Sequence, residues 1–116
     1  MKQVDWEKLL RDERTHQDAV LAAKGEDYAE RCDVLANLKR GAAALGLSPV
    51  QVTGVFLQKH YDALMHFIRY GQVASEPVEE RITDLHNYLY LLSAVLLELK
   101  GGHNERLGQD VPATNV

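Results

Sequence analysis

The sequence lacks several features on which common protein classes depend. It has a single cysteine, Cys32, in 116 residues, so it cannot form an internal disulfide, and we expect a reducing, cytoplasmic compartment. It has no glycine loop of the GxGxxG or GxxxxGK[ST] type and no HExxH motif, which leaves no common phosphate loop or zinc site to propose. Cys32 has no CxxC partner and no evident base beside it, which argues against nucleophilic catalysis.

An excess of positive charge and long apolar runs are missing as well. The formal net charge is -4, which argues against a partner that is a nucleic acid polymer, because neutralising its phosphates requires a basic surface. The longest apolar run, from Leu89 to Leu97, is interrupted only by Ser93 and is far too short to span a bilayer. The segment MKQVDWEKLLRDER mixes charges and has no apolar core of signal-peptide length. We therefore expect neither a membrane partner nor a secretory signal.

What the sequence does have is helical periodicity. Hydrophobic residues make up 46% and charged residues 26%, which is ordinary for a globular domain. We predict an all-α, single-domain bundle of about four helices over residues 1–102 and a flexible C-terminal tail over residues 103–116. A chain of this size buries only about two-thirds of the surface of its unfolded state, so assembly into a homodimer or higher homo-oligomer would add stability.

Glycines set the predicted bounds of the first two helices. The first helix is predicted over residues 4–24, with its end at Gly25. The polar stretch 26–31 then indicates a turn or a helix start. Residues 33–45 have apolar residues at helical spacing, and Gly46 follows them as a C-terminal cap.

The last two helices have clearer start signals. Ser48 is a good N-cap and Pro49 suits the first helical position, which predicts a helix from Pro49 to Tyr70 with Gly71 closing it. Pro77 opens the last helix. Its apolar residues repeat every three or four positions and predict a packing seam close to a heptad pattern: Ile82, Leu85, Leu89, Leu92, Leu96 and Leu99.

An acidic ladder begins the last helix. Glu76, Glu80 and Asp84 are four residues apart and would form one stripe on a helix. Mg²⁺ prefers carboxylate oxygens and usually shares them with substrate phosphates, so a cation could bind between these side chains. The alternative is a solvated helix face that gains from the dipole of the helix N-terminus. The spacing alone favours the solvated face.

Two residues follow the ladder. Asn87 lies among leucines, and because a buried amide needs a hydrogen-bond partner it would contact either the base or ribose of a ligand or a neighbouring helix. The sequence does not decide between them. Tyr88 is of a residue type that packs in cores and interfaces more often than it stacks on a ligand.

Two further segments mix residue types that could contact a nucleotide. In the first, Lys24 could meet phosphate, Asp27 could ligate a metal and Tyr28 could stack on a base. The pattern alone favours the alternative, a polar helix junction closed by one tyrosine. In the second, Lys59 could reach phosphate, and His60 could be a base, a phosphate donor or a structural core residue.

Three blocks, taken in order, resemble a known family. They are Lys24-x-x-Asp27-Tyr28 followed by Asn37, the helix from Pro49 through Lys59, and residues 76–88, EPVEERITDLHNY. The first is similar to the family's K-x-x-D-Y-G and the third to its E-x-x-x-[DE]-x-x-x-D-x-x-N-Y. On these blocks the chain resembles small phage and prophage proteins of the nucleotide modification associated domain group, distant relatives of the all-α NTP pyrophosphatases (the MazG and dUTPase-like superfamily).

The resemblance implies an all-helical bundle that often dimerises and binds nucleotide phosphates with Mg²⁺, in a bacterial cell or a phage-infected host. It implies Mg²⁺ ligands at Glu76, Glu80 and Asp84. Phosphate contacts would come from Lys24, Lys59 and His60. The remaining residues of the pocket would be Asp27, Tyr28, Asn37, Asn87 and Tyr88.

The chain also departs from the family pattern. Ala29 stands where the family usually has glycine, and Gln58 where an acidic residue often precedes the lysine. The paired glutamates that classical enzymes carry on an earlier helix have no counterpart, since the earlier helices offer only Asp27, Glu30 and Asp33. We therefore assign no catalytic residue. The hypotheses are a metal-dependent nucleoside triphosphate pyrophosphohydrolase, a non-catalytic protein that sequesters a nucleotide, and a helical protein-interaction module.

Overall fold

A computed structural model of the protein describes residues 1–29, 33–71 and 77–101, and the side chains of those ranges other than 25–29. Four helices lie in them: α1 (Gln3–Ala29), α2 (Ala36–Leu45), α3 (Pro49–Tyr70) and α4 (Val78–Leu99). These ranges contain no strand, so the all-helical prediction is confirmed for the part of the chain described. The predicted tail over 103–116 lies outside the described residues.

The chain forms two compact units, Met1–Val34 and Leu35–Val116, and the single domain over 1–102 stays a prediction. The first unit contains α1, one helix of 27 residues. The predicted end at Gly25 is wrong, since α1 continues to Ala29. A glycine inside a helix costs only about 1 kcal/mol relative to alanine, which a long helix can absorb.

A turn precedes α2 in the second unit, and a glycine cap ends it. The helix begins at Ala36 rather than at Asp33, because residues 34 and 35 form a turn in front of it. At its other end Gly46 adopts φ 69°, and its N–H donates to the carbonyl oxygens of Ala42 and Ala43. Gly46 is the predicted C-terminal cap, in the left-handed conformation that favours glycine.

The predicted bounds of α3 are confirmed at both ends. The Ser48 hydroxyl accepts the N–H of Gln51 at 3.1 Å, and the Gln51 side chain accepts the N–H of Ser48 at 2.9 Å, a complete capping box. Pro49 occupies the first turn, and Gly71, at φ 72°, closes the helix after Tyr70. The last helix, α4, begins directly after Pro77, as the sequence predicts.

A small hydrophobic core holds the three helices of the second unit together. Its buried members are Leu35, Leu38, Ala42, Val50, Val52 and Val95. Thr53 is fully buried beside them, and its hydroxyl donates to the carbonyl oxygen of Pro49 at 2.7 Å. An ion pair between Lys39 and Glu98, 2.5 Å long, joins α2 to α4 at the surface. Each fully buried aliphatic side chain contributes about 1.5–3 kcal/mol, whereas an exposed ion pair contributes about 1 kcal/mol or less.

The leucine seam predicted for α4 is only partly covered. The residues of α4 that are buried are Asn87 and Val95, which are not members of the seam. Of the seam residues, Ile82, Leu89 and Leu99 are exposed. Leu92 and Leu96 pack against the edge of the core. Within the described residues, no helix has the combination of length and hydropathy needed to cross a membrane.

Candidate functional site

Aromatic stacking sets the register between α3 and α4. Phe56 and His60, one turn apart on α3, both contact the ring of Tyr88 on α4. The ring centroids are 5.5 Å apart for Phe56 and 5.1 Å apart for His60, with interplanar angles of 25° and 24°. His60 comes after Phe56 on α3. It also lies near Asp84, which comes before Tyr88 on α4. The two helices are therefore antiparallel.

Three polar side chains meet at this contact. Nδ1 of His60 lies 3.6 Å from Oδ2 of Asp84 and 3.4 Å from Nη1 of Arg81. The His60 side chain is 11% exposed and that of Asp84 is 28% exposed. We call His60, Arg81, Asp84 and Tyr88 the His60 cluster. It places a guanidinium and a carboxylate beside Nδ1 of one imidazole, largely shielded from water.

The chemistry of the His60 cluster depends on which state the imidazole adopts. A neutral ring with a bare Nδ1 can accept a hydrogen bond from Arg81, whereas a protonated ring is a cation beside the Asp84 carboxylate. Both distances are at or beyond the usual hydrogen-bond range, so the groups attract one another without being locked. A guanidinium held in this way is suited to binding an oxyanion.

The structure brings together part of the predicted site. His60, on α3, lies beside Asp84 and Tyr88, which are four residues apart in the third block, and all three belong to the His60 cluster. Asn87 is 3% exposed, as a helical position among leucines suggests, and lies one turn beyond Asp84 on α4. Lys59 precedes His60 and is exposed.

Other predicted residues are placed elsewhere or not described. Asn37 is exposed on α2, where its side-chain oxygen accepts from Arg40. Lys24 is exposed on α1, in the first compact unit. The side chains of Asp27 and Tyr28, and all of Glu76, lie outside the described residues.

The acidic ladder does not by itself fit a metal site in the part of the chain described. Glu80 is exposed, and Asp84 lies beside His60. Among the described residues, no group of three or more His, Cys, Asp or Glu side chains could hold a metal ion. Glu80 and Asp84 alone give two carboxylates on one helix, and Mg²⁺ held by so few protein ligands needs substrate phosphates and water for the rest.

Sequence reasoning missed Arg81 and Phe56 as members of this region. Arg81 comes three residues before Asp84, which is the spacing of an ion pair on one helix face. That local signal was available, but the contact to His60 joins residues 21 positions apart and depends on how α3 and α4 pair. The contact of Phe56 with Tyr88 likewise depends on how α3 and α4 pair.

Two cavities lie away from the His60 cluster. One, of about 110 Å³, is lined by Leu35, Lys39, Pro49, Val95, Glu98 and Leu99. The other, of about 310 Å³, runs along the C-terminal half of α3 and is lined by Tyr61, Asp62, Met65, His66, Arg69 and Tyr70. The first is smaller than the roughly 300–1,000 Å³ typical of ligand sites, and the second is a depression on a single helix. Neither contains a residue of the predicted nucleotide site.

Comparison with known proteins adds no relative to these observations. The chain matches no family profile, no curated protein and no solved structure. The resemblance to the nucleotide modification associated domain group therefore stays a prediction that depends on the three sequence blocks.

Proposed function

We propose that this protein binds a nucleotide, or a small molecule with a comparable phosphate group, at the edge of the His60 cluster. The observation that carries the proposal is the convergence of His60, Asp84 and Tyr88. The resemblance implies all three as site residues, and the pairing of α3 with α4 brings His60 into contact with the other two. Asp84 and Tyr88 share one face of α4 by helical spacing, so the contact made by His60 is the part that the sequence does not dictate.

Phosphate recognition in this proposal depends on Arg81, which the sequence blocks did not name. Its guanidinium can donate two parallel hydrogen bonds to a phosphate, which a lysine ammonium cannot do. His60 limits the positions that the guanidinium can adopt, and Asp84 lies 3.6 Å from the same ring nitrogen. Lys59 is exposed on the adjoining turn of α3 and would supply a second, more mobile positive charge.

The ring of Tyr88 has a positioning role here. It already stacks on Phe56 and His60, so it fixes the imidazole and is not an open platform for a base. Asn87, which is buried on the same helix, would shape the pocket through the local backbone and packing. The base and sugar would contact the edge of the cluster instead.

The enzymatic form of the proposal, a metal-dependent nucleoside triphosphate pyrophosphohydrolase, comes from the resemblance. It requires Mg²⁺ on Glu76, Glu80 and Asp84. Because the described residues do not supply three ligands, we derive no catalytic step through the metal. A non-catalytic protein that sequesters a nucleotide is the second candidate, and the position of Asp84 next to His60 favours it.

Isothermal titration calorimetry with a panel of NTPs, dNTPs and the matching nucleosides tests the proposal. We expect nucleotides to bind and nucleosides to bind at least about tenfold more weakly, because charge-assisted hydrogen bonds contribute about 1.5–3 kcal/mol. Arg81→Gln should lose the preference for nucleotides. Arg40→Gln is the matched control, since Arg40 is exposed on α2 and hydrogen-bonds Asn37.

The outcomes separate the candidates. If no nucleotide binds to the wild-type protein, or if Arg81→Gln binds as the wild type does, the proposed site is wrong. Release of pyrophosphate in the presence of Mg²⁺ would establish the hydrolase. Tight binding without release, unchanged by EDTA, would establish the sequestering protein.

A further inference from the structure

A small cavity lies where the starts of α2 and α3 meet the end of α4. It has a volume of about 110 Å³. The residues that line it, one ion pair and otherwise apolar side chains, are Leu35, Lys39, Pro49, Val95, Glu98 and Leu99. Leu35 and Val95 are each 3% exposed and belong to the hydrophobic core, so core residues form the floor of the cavity.

The mouth of this cavity has one charge of each sign. Lys39 on α2 and Glu98 on α4 form an ion pair 2.5 Å long, and their side chains are 39% and 53% exposed. Leu99 also lines the cavity and is 46% exposed, so the cavity opens to solvent on this side. An exposed ion pair is weak because water competes for both groups, and a ligand can therefore separate Lys39 from Glu98 at little cost.

The volume of the cavity limits the size of the group that can enter it. An apolar cavity of about 150 Å³ is known to bind benzene, so a smaller one suits an apolar group of roughly four or five carbon atoms. Sites of roughly 300–1,000 Å³ enclose whole drug-sized molecules, whereas this cavity accepts a group the size of one aliphatic side chain. A nucleotide is too large for it.

The charges at the mouth limit the ligand further. A ligand with one charge would pair with either Lys39 or Glu98 and leave the other without its partner. A ligand with both charges replaces the ion pair with two charge-assisted contacts, one from its carboxylate to Lys39 and one from its ammonium to Glu98. A free α-amino acid has both groups on one carbon atom, with its side chain on the same carbon.

We propose that this cavity binds a free aliphatic amino acid of the size of leucine. Its isobutyl side chain would lie against Leu35 and Val95, while its carboxylate contacts Lys39 and its ammonium contacts Glu98. A leucine inside a peptide does not fit this description, because its amino and carboxyl groups are neutral amides. The site is separate from the His60 cluster, no member of which lines the cavity.

Isothermal titration calorimetry of the full chain with L-leucine, without nucleotide, tests the proposal. Four probes each lack one feature of leucine: glycine lacks the side chain, 4-methylpentanoate the ammonium, 3-methylbutylamine the carboxylate, and N-acetyl-leucine amide both charges. Each should bind at least about tenfold more weakly than leucine, because each loses either apolar burial or a charge-assisted hydrogen bond.

Two variants of the mouth test the role of its charges. Lys39→Gln and Glu98→Gln should each weaken leucine binding by about tenfold, since each removes one charged contact and leaves the apolar floor intact. The matched controls are Arg40→Gln on α2 and Glu79→Gln on α4, which change exposed charges on the same two helices, outside the cavity. They should stay within about twofold of wild type. Circular dichroism checks that all four variants keep their helices.

Three outcomes would overturn the proposal. The first is no leucine binding to the wild-type protein at the highest soluble concentration of leucine. The second is N-acetyl-leucine amide binding as tightly as leucine, which would indicate a peptide ligand. The third is leucine binding unchanged in both Lys39→Gln and Glu98→Gln. Nuclear magnetic resonance spectra then locate the site, since leucine should shift the amide signals of Leu35 and Val95, and unchanged signals there would place any binding elsewhere.

Discussion

The ring of Tyr88 lies 5.1 Å from the imidazole of His60, at an angle of 24°. The stack holds the imidazole against α4 at the point where its Nδ1 approaches both Arg81 and Asp84. Tyr88 is therefore part of the packing between two helices and also a support for the proposed binding site. A substitution at this position should affect both properties.

Tyr88→Ala should destabilise the protein by about 2–4 kcal/mol. A half-buried aromatic side chain that packs on two other rings loses its hydrophobic contacts and leaves a gap between the helices. Tyr90→Ala is the control, since Tyr90 is 56% exposed on the same helix and should cost less than about 1 kcal/mol. Urea unfolding at one protein concentration, followed by circular dichroism, measures both. Equal losses would show that the stack does not join the helices.

Replacement by alanine should have opposite effects at Gly41, inside α2, and at Gly46, the cap that ends it. Gly41→Ala should stabilise the protein by about 0.5–1 kcal/mol, because a Cβ there meets Val52 at 3.7 Å, an ordinary contact, in a helical position. Gly46→Ala should destabilise it by about 1–2 kcal/mol, because Gly46 has φ +69°. The melting temperatures of the two variants should shift in opposite directions. Shifts of the same sign would contradict the cap assigned to Gly46.

The parts of this structure that could be predicted are those encoded by neighbouring residues. Ser48, Pro49 and Gly71 fix both ends of α3 through local hydrogen bonds and backbone preferences, and these bounds were predicted correctly. Gly25 was predicted to end α1, but one glycine does not oppose the propensity of a 27-residue helix. Signals from neighbouring residues therefore show where a helix can end, but they do not require it to end there.

The candidate site was predictable only in part, for a similar reason. The helical period places Asp84, Asn87 and Tyr88 close together on α4, which needs no knowledge of other helices. The approach of Arg81 to His60 requires the register between α3 and α4, which the stacking of Phe56 and His60 on Tyr88 determines. The leucine seam shows the same limit, since nothing local revealed that the buried residues of α4 would be Val95 and Asn87 while Ile82, Leu89 and Leu99 stay exposed.

Ser48→Ala should destabilise the protein by about 1 kcal/mol, because it removes the hydroxyl that accepts the N–H of Gln51 at 3.1 Å. Ser93→Ala is the matched control. The Ser93 hydroxyl only donates to the carbonyl oxygen of Leu89 within α4, and alanine is the better helix former, so this change should be neutral or slightly stabilising. Thermal unfolding of both variants tests the contrast, and a neutral Ser48→Ala would mean that the capping box adds nothing to the start of α3.

The acidic ladder predicts how Mg²⁺ should affect nucleotide binding. If its carboxylates hold the ion together with the ligand's phosphates, the wild-type protein should bind a nucleotide at least about tenfold more tightly in Mg²⁺ than in EDTA. Glu80→Gln should lose that gain, because it removes a charge one turn from Asp84, while Glu79→Gln, an exposed neighbour off the ladder, should keep it. Glu80 suits this test better than Asp84, which also lies 3.6 Å from His60 and would change the Arg81 environment when altered. Calorimetry on the three proteins, in Mg²⁺ and in EDTA, gives the six affinities. Equal binding in Mg²⁺ and EDTA would mean that the ladder is a solvated helix face, and phosphate recognition would then depend on Arg81 and Lys59.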